Sequence, residues 1–107
     1  MTGPVFTPLV AASEIADRSF ATFSVGGIAI LVYRFREEYF AVENLCSHAQ
    51  STFDDGRVRG YQLICPLHGA TFDIRDGSAT GRPARNPIRV FPLRVVHGMV
   101  EVALETP

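Results

Sequence analysis

The sequence contains no lysine, and its ten basic residues are all arginine. With eleven acidic residues, the formal net charge at pH 7 is −1. A charge this close to zero gives no electrostatic reason to expect binding to nucleic acid or to an anionic membrane surface. The sequence also lacks any apolar run approaching the roughly 18 residues that a membrane-spanning helix requires, so no such helix is predicted.

Signals for export are missing as well. Residues 1–18 show no basic start followed by an apolar stretch, which is the pattern of a secretory signal. A twin-arginine export signal is also absent. We therefore expect a cytoplasmic protein. The chain has 107 residues, 47% of them hydrophobic and 20% charged, and this composition predicts a single small domain over residues 1–107.

Cysteine and histidine are scarce, with two cysteines and three histidines in the whole chain. Four of these five residues fall into two short motifs, Cys46-x-His48 and Cys65-x-x-His68, separated by sixteen residues. Two thiolates and two imidazoles make a complete set of four metal ligands. These ligand types suit zinc or an iron–sulfur cluster, and they do not suit calcium or magnesium.

The order of the ligands favours iron–sulfur over zinc. A zinc finger usually keeps its two cysteines together and its two histidines together, whereas here each cysteine is followed by a histidine. A Rieske centre holds one iron by two cysteines and the other by two histidines. Each of the two motifs can supply one ligand to each iron. Zinc bound by the same four ligands remains the alternative.

The two motifs resemble those of the Rieske [2Fe–2S] family, whose pattern is Cys-x-His followed by Cys-x-x-His, usually as Cys-Pro-x-His-Gly. The likeness extends over about residues 39–104 and includes the Asp-Gly pairs at 55–56 and 76–77. It implies one Rieske-type [2Fe–2S] cluster, a cluster-binding part of about residues 45–85, and a covering role for the proline-containing loop at 81–87. It also implies four cluster ligands, which are Cys46, His48, Cys65 and His68.

Within that family, two features separate the branches. High-potential members carry two further cysteines that form a disulfide, and these positions are Ser51 and Leu67 here. Oxygenase catalytic subunits carry a second, mononuclear iron site, for which His97 is the only remaining histidine. Because His97 is predicted to lie in a solvated turn, we expect neither that site nor a catalytic subunit. The chain therefore resembles the ferredoxin of a bacterial aromatic-ring-hydroxylating dioxygenase system.

This resemblance implies a soluble, monomeric one-electron carrier and not an enzyme. It would pass electrons from a flavin-dependent reductase to a terminal Rieske non-haem iron oxygenase. Two alternatives stay open, namely the small subunit of an assimilatory nitrite reductase and, less favoured, a zinc-stabilised binding module. High-potential members also donate hydrogen bonds to the cluster from a serine and a tyrosine at the positions of Ala70 and Phe72. Their absence predicts a low reduction potential.

Short strand-like runs at roughly ten-residue spacing predict an all-β antiparallel sandwich or barrel of about nine strands. The Gly26-Gly27 pair predicts a two-residue hairpin turn. The ligand loops are expected at one tip, leaving adjacent strands. The predicted strands are Val5–Val10, Phe20–Val25, Ile28–Phe35, Tyr39–Asn44, Tyr61–Ile64, Thr71–Ile74, Val90–Val96 and Met99–Leu104.

Overall fold

The computed structural model describes residues 5–47, 51–67, 69–82 and 86–104. Eleven strands and one 3-10 helix, Ala12–Glu14, lie within these ranges. The strands are β1 Phe6–Ala11, β2 Ser19–Val25, β3 Ile28–Phe35, β4 Glu38–Glu43, β5 Arg57–Arg59, β6 Gln62–Ile64, β7 Thr71–Asp73, β8 Ala79–Gly81, β9 Val90–Phe91, β10 Leu93–Val96 and β11 Met99–Ala103. No helix of the described ranges is long and apolar enough to cross a membrane.

The strands form three sheets, and all of their paired strands are antiparallel. The first sheet has the order β1-β11-β10, the second β2-β3-β4-β9 and the third β5-β6-β7-β8. This arrangement confirms the predicted all-β antiparallel fold. The Gly26-Gly27 hairpin is also confirmed, since both glycines have positive φ angles of 58° and 82° between β2 and β3.

The second sheet is the central layer because β3 is buried on both faces. Successive side chains of a strand point to opposite faces. Ile30 and Val32 pack into a core shared with β11, whereas Leu31 and Tyr33 pack into a core shared with β6 and β7. Both cysteines of the ligand motifs belong to this latter core. The two cysteines therefore lie between the second and third sheets.

The prediction of one strand over Val90–Val96 is wrong. Pro92 separates β9, which pairs with β4 in the second sheet, from β10, which pairs with β11 in the first. Proline has no N–H to donate to a ladder, so pairing is interrupted at this position. Its carbonyl still accepts a hydrogen bond of 2.9 Å from the Ala103 N–H. The chain thus changes sheets at a single residue.

Two short strands were not predicted, and the expected origin of the ligand loops is also wrong. β5 and β8 have three residues each, too few to show a period in the sequence. The first ligand loop runs from β4 of the second sheet to β5 of the third. The second loop runs from β6 to β7 within the third sheet. The loops therefore leave strands of different sheets, and the first loop bridges the two layers.

Candidate metal centre

Two cysteine side chains face each other in the core between the second and third sheets. Cys46 follows β4 and is 0% exposed, while Cys65 follows β6 directly and is 1% exposed. Neither forms a disulfide, yet the two side chains are close enough for Cys46 to raise the pKa of the Cys65 thiol. The fold thus brings together two thiols that lie far apart in the sequence and leaves them unbridged.

The surroundings of these thiols disfavour a bare thiolate. Burial raises the pKa of the Cys65 thiol, and the adjacent Cys46 side chain raises it further, while the Leu67 backbone lowers it in part. A coordinated metal ion deprotonates a thiol outright and so offsets the cost of two buried thiolates. The chemistry of this pair therefore fits metal ligation.

Both ligand motifs are closed by the same backbone hydrogen bond. The Cys46 N–H donates to the Ser51 carbonyl at 2.7 Å, and the Cys65 N–H donates to the Ala70 carbonyl at 2.7 Å. In each case the acceptor lies five residues after the cysteine. Gly69 supplies a positive φ angle of 70° within the second loop. Each cysteine is thus held at the start of a loop of the same length.

Gly56 allows the first loop to pass close to the strand that carries Cys65. A Cβ atom at this position would overlap the Ile64 carbonyl oxygen and lie 3.0 Å from the Phe53 carbonyl oxygen and 3.3 Å from the Pro66 Cδ. The Gly56 N–H itself donates to the Phe53 carbonyl at 2.7 Å. A glycine is therefore needed where the two ligand loops meet.

We expect Gly56→Ala to lower the free energy of unfolding by about 3 kcal/mol, since the added methyl group meets backbone atoms that cannot move aside. The matched control is Gly60→Ala, because Gly60 has a positive φ angle of 59° but open space around it. That variant should lose only about 1 kcal/mol. Urea unfolding of the parent and both variants measures the difference. Equal losses would show that the close approach at Gly56 does not constrain the fold.

Three other parts of the predicted site lie outside the described residues, namely His48, His68 and the central part of the loop at 81–87. Their roles as ligands or as a cover for the cluster stay predictions. Within the described ranges, no group of three or more His, Cys, Asp or Glu side chains could hold a metal ion. His97 is exposed in the turn between β10 and β11, with a φ angle of 51°, which confirms its predicted position in a turn.

Two polar residues near the cysteines have structural roles that were not predicted from the sequence. The Ser47 hydroxyl donates to the Asn86 carbonyl at 2.5 Å and so joins the first ligand loop to the end of the loop at 81–87. Asn44 is buried two residues before Cys46. Serine and asparagine are common in loops for local reasons, so nothing in the sequence separates these two from ordinary loop residues.

The model of one protein family, described as Rieske [2Fe-2S] domain, matches residues 5–92 of this chain. The chain belongs to this Rieske family. The anthranilate 1,2-dioxygenase ferredoxin subunit of Burkholderia cepacia is 39% identical to it over 95 residues, which cover 89% of this chain and 88% of that protein. The family resemblance drawn from the two motifs is confirmed.

Solved Rieske structures agree closely with the fold. The ferredoxin of carbazole 1,9a-dioxygenase from Nocardioides aromaticivorans IC177 superposes with a TM-score of 0.90 at 28% identity, covering 94% of this chain and 98% of that one. A chain in a complex of reduced oxygenase and oxidized ferredoxin in carbazole 1,9a-dioxygenase matches with a TM-score of 0.89 at 28% identity, covering 98% of each chain. The chain thus has the fold of these ferredoxin structures.

Proposed function

We propose that this Rieske protein is the ferredoxin component of an aromatic-ring-hydroxylating dioxygenase system. It carries one electron at a time from a flavin-dependent reductase to a terminal oxygenase, as a cytoplasmic monomer, and is not itself an enzyme. The observation that carries the proposal is the buried, unbridged pair of Cys46 and Cys65. The ferredoxin subunit of an anthranilate dioxygenase and the oxygenase–ferredoxin complex of a carbazole dioxygenase support it.

We assign Cys46 and Cys65 to one iron of a [2Fe–2S] cluster, and His48 and His68 to the other. When bound, the cluster supplies a site that takes up and releases a single electron. The two cysteines belong to the same buried core as Ala70 and Phe72, which are both 0% exposed. Such fixed surroundings change little between oxidation states, which suits rapid electron transfer.

The Ser47 hydroxyl stabilises the site by tying two of its loops together. Its 2.5 Å hydrogen bond to the Asn86 carbonyl spans from the residue after Cys46 to the loop expected to cover the cluster. A hydrogen bond of this kind contributes about 1 kcal/mol. We expect Ser47→Ala to lose its visible iron–sulfur absorbance roughly 5-fold faster in the presence of a chelator. Ser47→Thr keeps the hydroxyl and serves as the control, so equally fast loss from both variants would contradict this role.

Leu67 offers an apolar contact for a partner beside the second ligand motif. Its side chain is 41% exposed, and it lies between Cys65 and His68 in the sequence. Transient redox contacts are small, so one charged residue within such a contact has a large effect. We expect Leu67→Asp to raise the KM of the oxygenase for the ferredoxin roughly tenfold while iron and sulfide contents stay unchanged.

The matched control for this substitution is Val95→Asp. Val95 is 44% exposed but belongs to β10 of the first sheet, away from the cysteines. That variant should support the same oxygenase turnover as the parent. If both variants raise KM to the same degree, the effect comes from added negative charge, and the contact at Leu67 is refuted.

Reconstitution tests the proposed function as a whole. The purified protein is combined with a flavin-dependent reductase, a terminal oxygenase and an aromatic substrate, and product formation is measured with and without the ferredoxin. We expect turnover that depends on the ferredoxin concentration. The reductase could reduce the cluster while no electron reaches any of several oxygenases of this class. That result would refute the assignment of a terminal oxygenase as the partner.

A further inference from the structure

Asn44 is the only polar or charged side chain among the buried residues of the described ranges, with 4% of it exposed. A buried polar group is costly unless it is hydrogen-bonded. The Asn44 Oδ1 accepts a hydrogen bond from the Phe53 N–H at 2.7 Å, and its Nδ2 donates to the Asp54 carboxylate at 2.8 Å. Both ends of the amide are therefore used, and both bonds reach residues nine or ten positions later.

These two bonds close the first ligand loop at its base. Asn44 is the residue before Leu45 and Cys46, while Phe53 and Asp54 end the loop just ahead of Gly56. The Asn44 backbone N–H donates to the Ala29 carbonyl of β3 at 2.9 Å, so the base of the loop is also fixed to the central sheet. The shorter Cys46-to-Ser51 closure described above lies inside this wider one.

The same base contacts the element that follows the second ligand motif. Phe53 is 0% exposed, and its ring lies edge-on to the ring of Phe72 with centroids 5.7 Å apart. Phe72 belongs to β7, which begins three residues after His68. Asn44, by holding the Phe53 backbone, thus fixes how the first loop packs against the strand that leaves the second.

We propose that Asn44 is a positioning residue that sets the location of Cys46 relative to Cys65 without touching either sulfur. The inference rests on the proposed ligand role of the two cysteines and deepens it. An amide is required because one atom must accept from a backbone N–H while the other donates to a carboxylate. Aspartate has the same shape but cannot donate, so it would place two carboxylates against each other at the base of the loop.

The test exchanges donor and acceptor between the two side chains. Four holoprotein variants are compared with the parent: Asn44→Asp, Asp54→Asn, the double variant carrying both changes, and Asp55→Asn. The last is the matched control, because it removes the same charge one residue further along without removing a hydrogen bond of Asn44. Hydrogen exchange of peptides covering residues 45–55 reports the loop, and the visible circular dichroism reports the ligand geometry.

The hydrogen bond from Asn44 to Asp54 is partly buried, and leaving such a bond unmade costs about 1 kcal/mol or more. We therefore expect Asn44→Asp to speed hydrogen exchange in the loop roughly fivefold or more and to change the visible circular dichroism. Asp54→Asn and Asp55→Asn should each stay within about 2-fold of the parent, since the Asn44 amide can still donate to an amide oxygen. The double variant restores a donor facing an acceptor. Its exchange should return to within about 2-fold of the parent, as a non-additive double-mutant cycle.

The outcomes separate this inference from the proposed function. A parent without iron and sulfide would refute the proposed function. An iron-containing parent whose Asn44→Asp variant keeps parental exchange and circular dichroism would overturn only the role of Asn44. A double variant whose hydrogen exchange and circular dichroism differ from the parent as much as those of Asn44→Asp would also overturn the role of Asn44. Asn44→Asp alone could yield no folded holoprotein. In that case, recovery of folded holoprotein in the double variant with Asp54→Asn supports the role of Asn44, and failure to recover it refutes that role.

Discussion

Cys46→Ser and Cys65→Ser should each yield protein with no iron and no acid-labile sulfide. Each cysteine is fully buried beside the other, and the chain contains no further cysteine that could take over. Serine does not supply a thiolate, which is the ligand that iron–sulfur clusters require. We expect the same complete loss for His48→Ala and His68→Ala, whose imidazoles are proposed to hold the second iron.

The measurement is iron and sulfide per chain in freshly purified protein, together with the visible spectrum. The parent should contain two of each, as a [2Fe–2S] cluster demands. His97→Ala is the control, because His97 is exposed in a turn of the first sheet, and it should retain the full content. Stoichiometric zinc in the parent would replace the iron–sulfur assignment by a zinc site built from the same ligands.

Ala70→Ser and Phe72→Tyr should each raise the reduction potential, and the double variant should raise it further. Hydrogen bonds to cluster sulfur stabilise the added electron and are one determinant of Rieske potentials, which span roughly −150 to +300 mV. Ala70 and Phe72 are both 0% exposed and pack in the same core as the two cysteines. A hydroxyl at either position is therefore introduced into the buried core that contains both cysteines.

The size of the shift follows from the strength of one hydrogen bond. A hydrogen bond to a charged acceptor contributes about 1.5–3 kcal/mol, but only the difference between the two oxidation states changes the potential. With about 1 kcal/mol for that difference, each new bond shifts a one-electron potential by roughly 40 mV, since a tenfold change corresponds to about 59 mV. The parent, which lacks both donors, should lie near the low end, at about −150 mV.

Redox titration of the parent, the two single variants and the double variant measures these shifts. Phe40→Tyr is the matched control, since Phe40 packs at the edge of the same core against Tyr61, with ring centroids 5.9 Å apart, instead of against the cysteines. It should leave the potential unchanged. A parent above about +100 mV would contradict the ferredoxin assignment, whereas a low potential that none of the variants moves would contradict only the hydrogen-bond explanation.

Local sequence signals predicted the parts of the fold that depend on neighbouring residues. The Gly26-Gly27 turn needs positive φ angles that glycine adopts freely, and the β-branched run of β3 predicts a strand without further context. In both cases the residues that decide the structure lie within a few positions of one another. The two motifs predict the four ligands from short, fixed spacings in a similar way, and that assignment stays a prediction.

The features that were missed depend on distant partners. Pro92 looks like a tolerable residue in one edge strand, and only the separate pairing of Phe91 with Ala41 and of Leu93 with Val102 shows that the chain changes sheets there. The role of Asn44 is likewise invisible locally, since its burial and both of its side-chain hydrogen bonds depend on how residues nine and ten positions later fold back. Such contacts are set by tertiary packing and leave no period or motif in the sequence.

The layered arrangement has a practical consequence for building devices from this protein. The first sheet packs on the face of the central layer opposite to the cysteines, and its hairpin at His97 and Gly98 is exposed. A surface anchor, a fused redox partner or a fluorescent label could be attached at this hairpin. The protein would then be presented to an electrode or to an enzyme with its electron-exchanging end unobstructed.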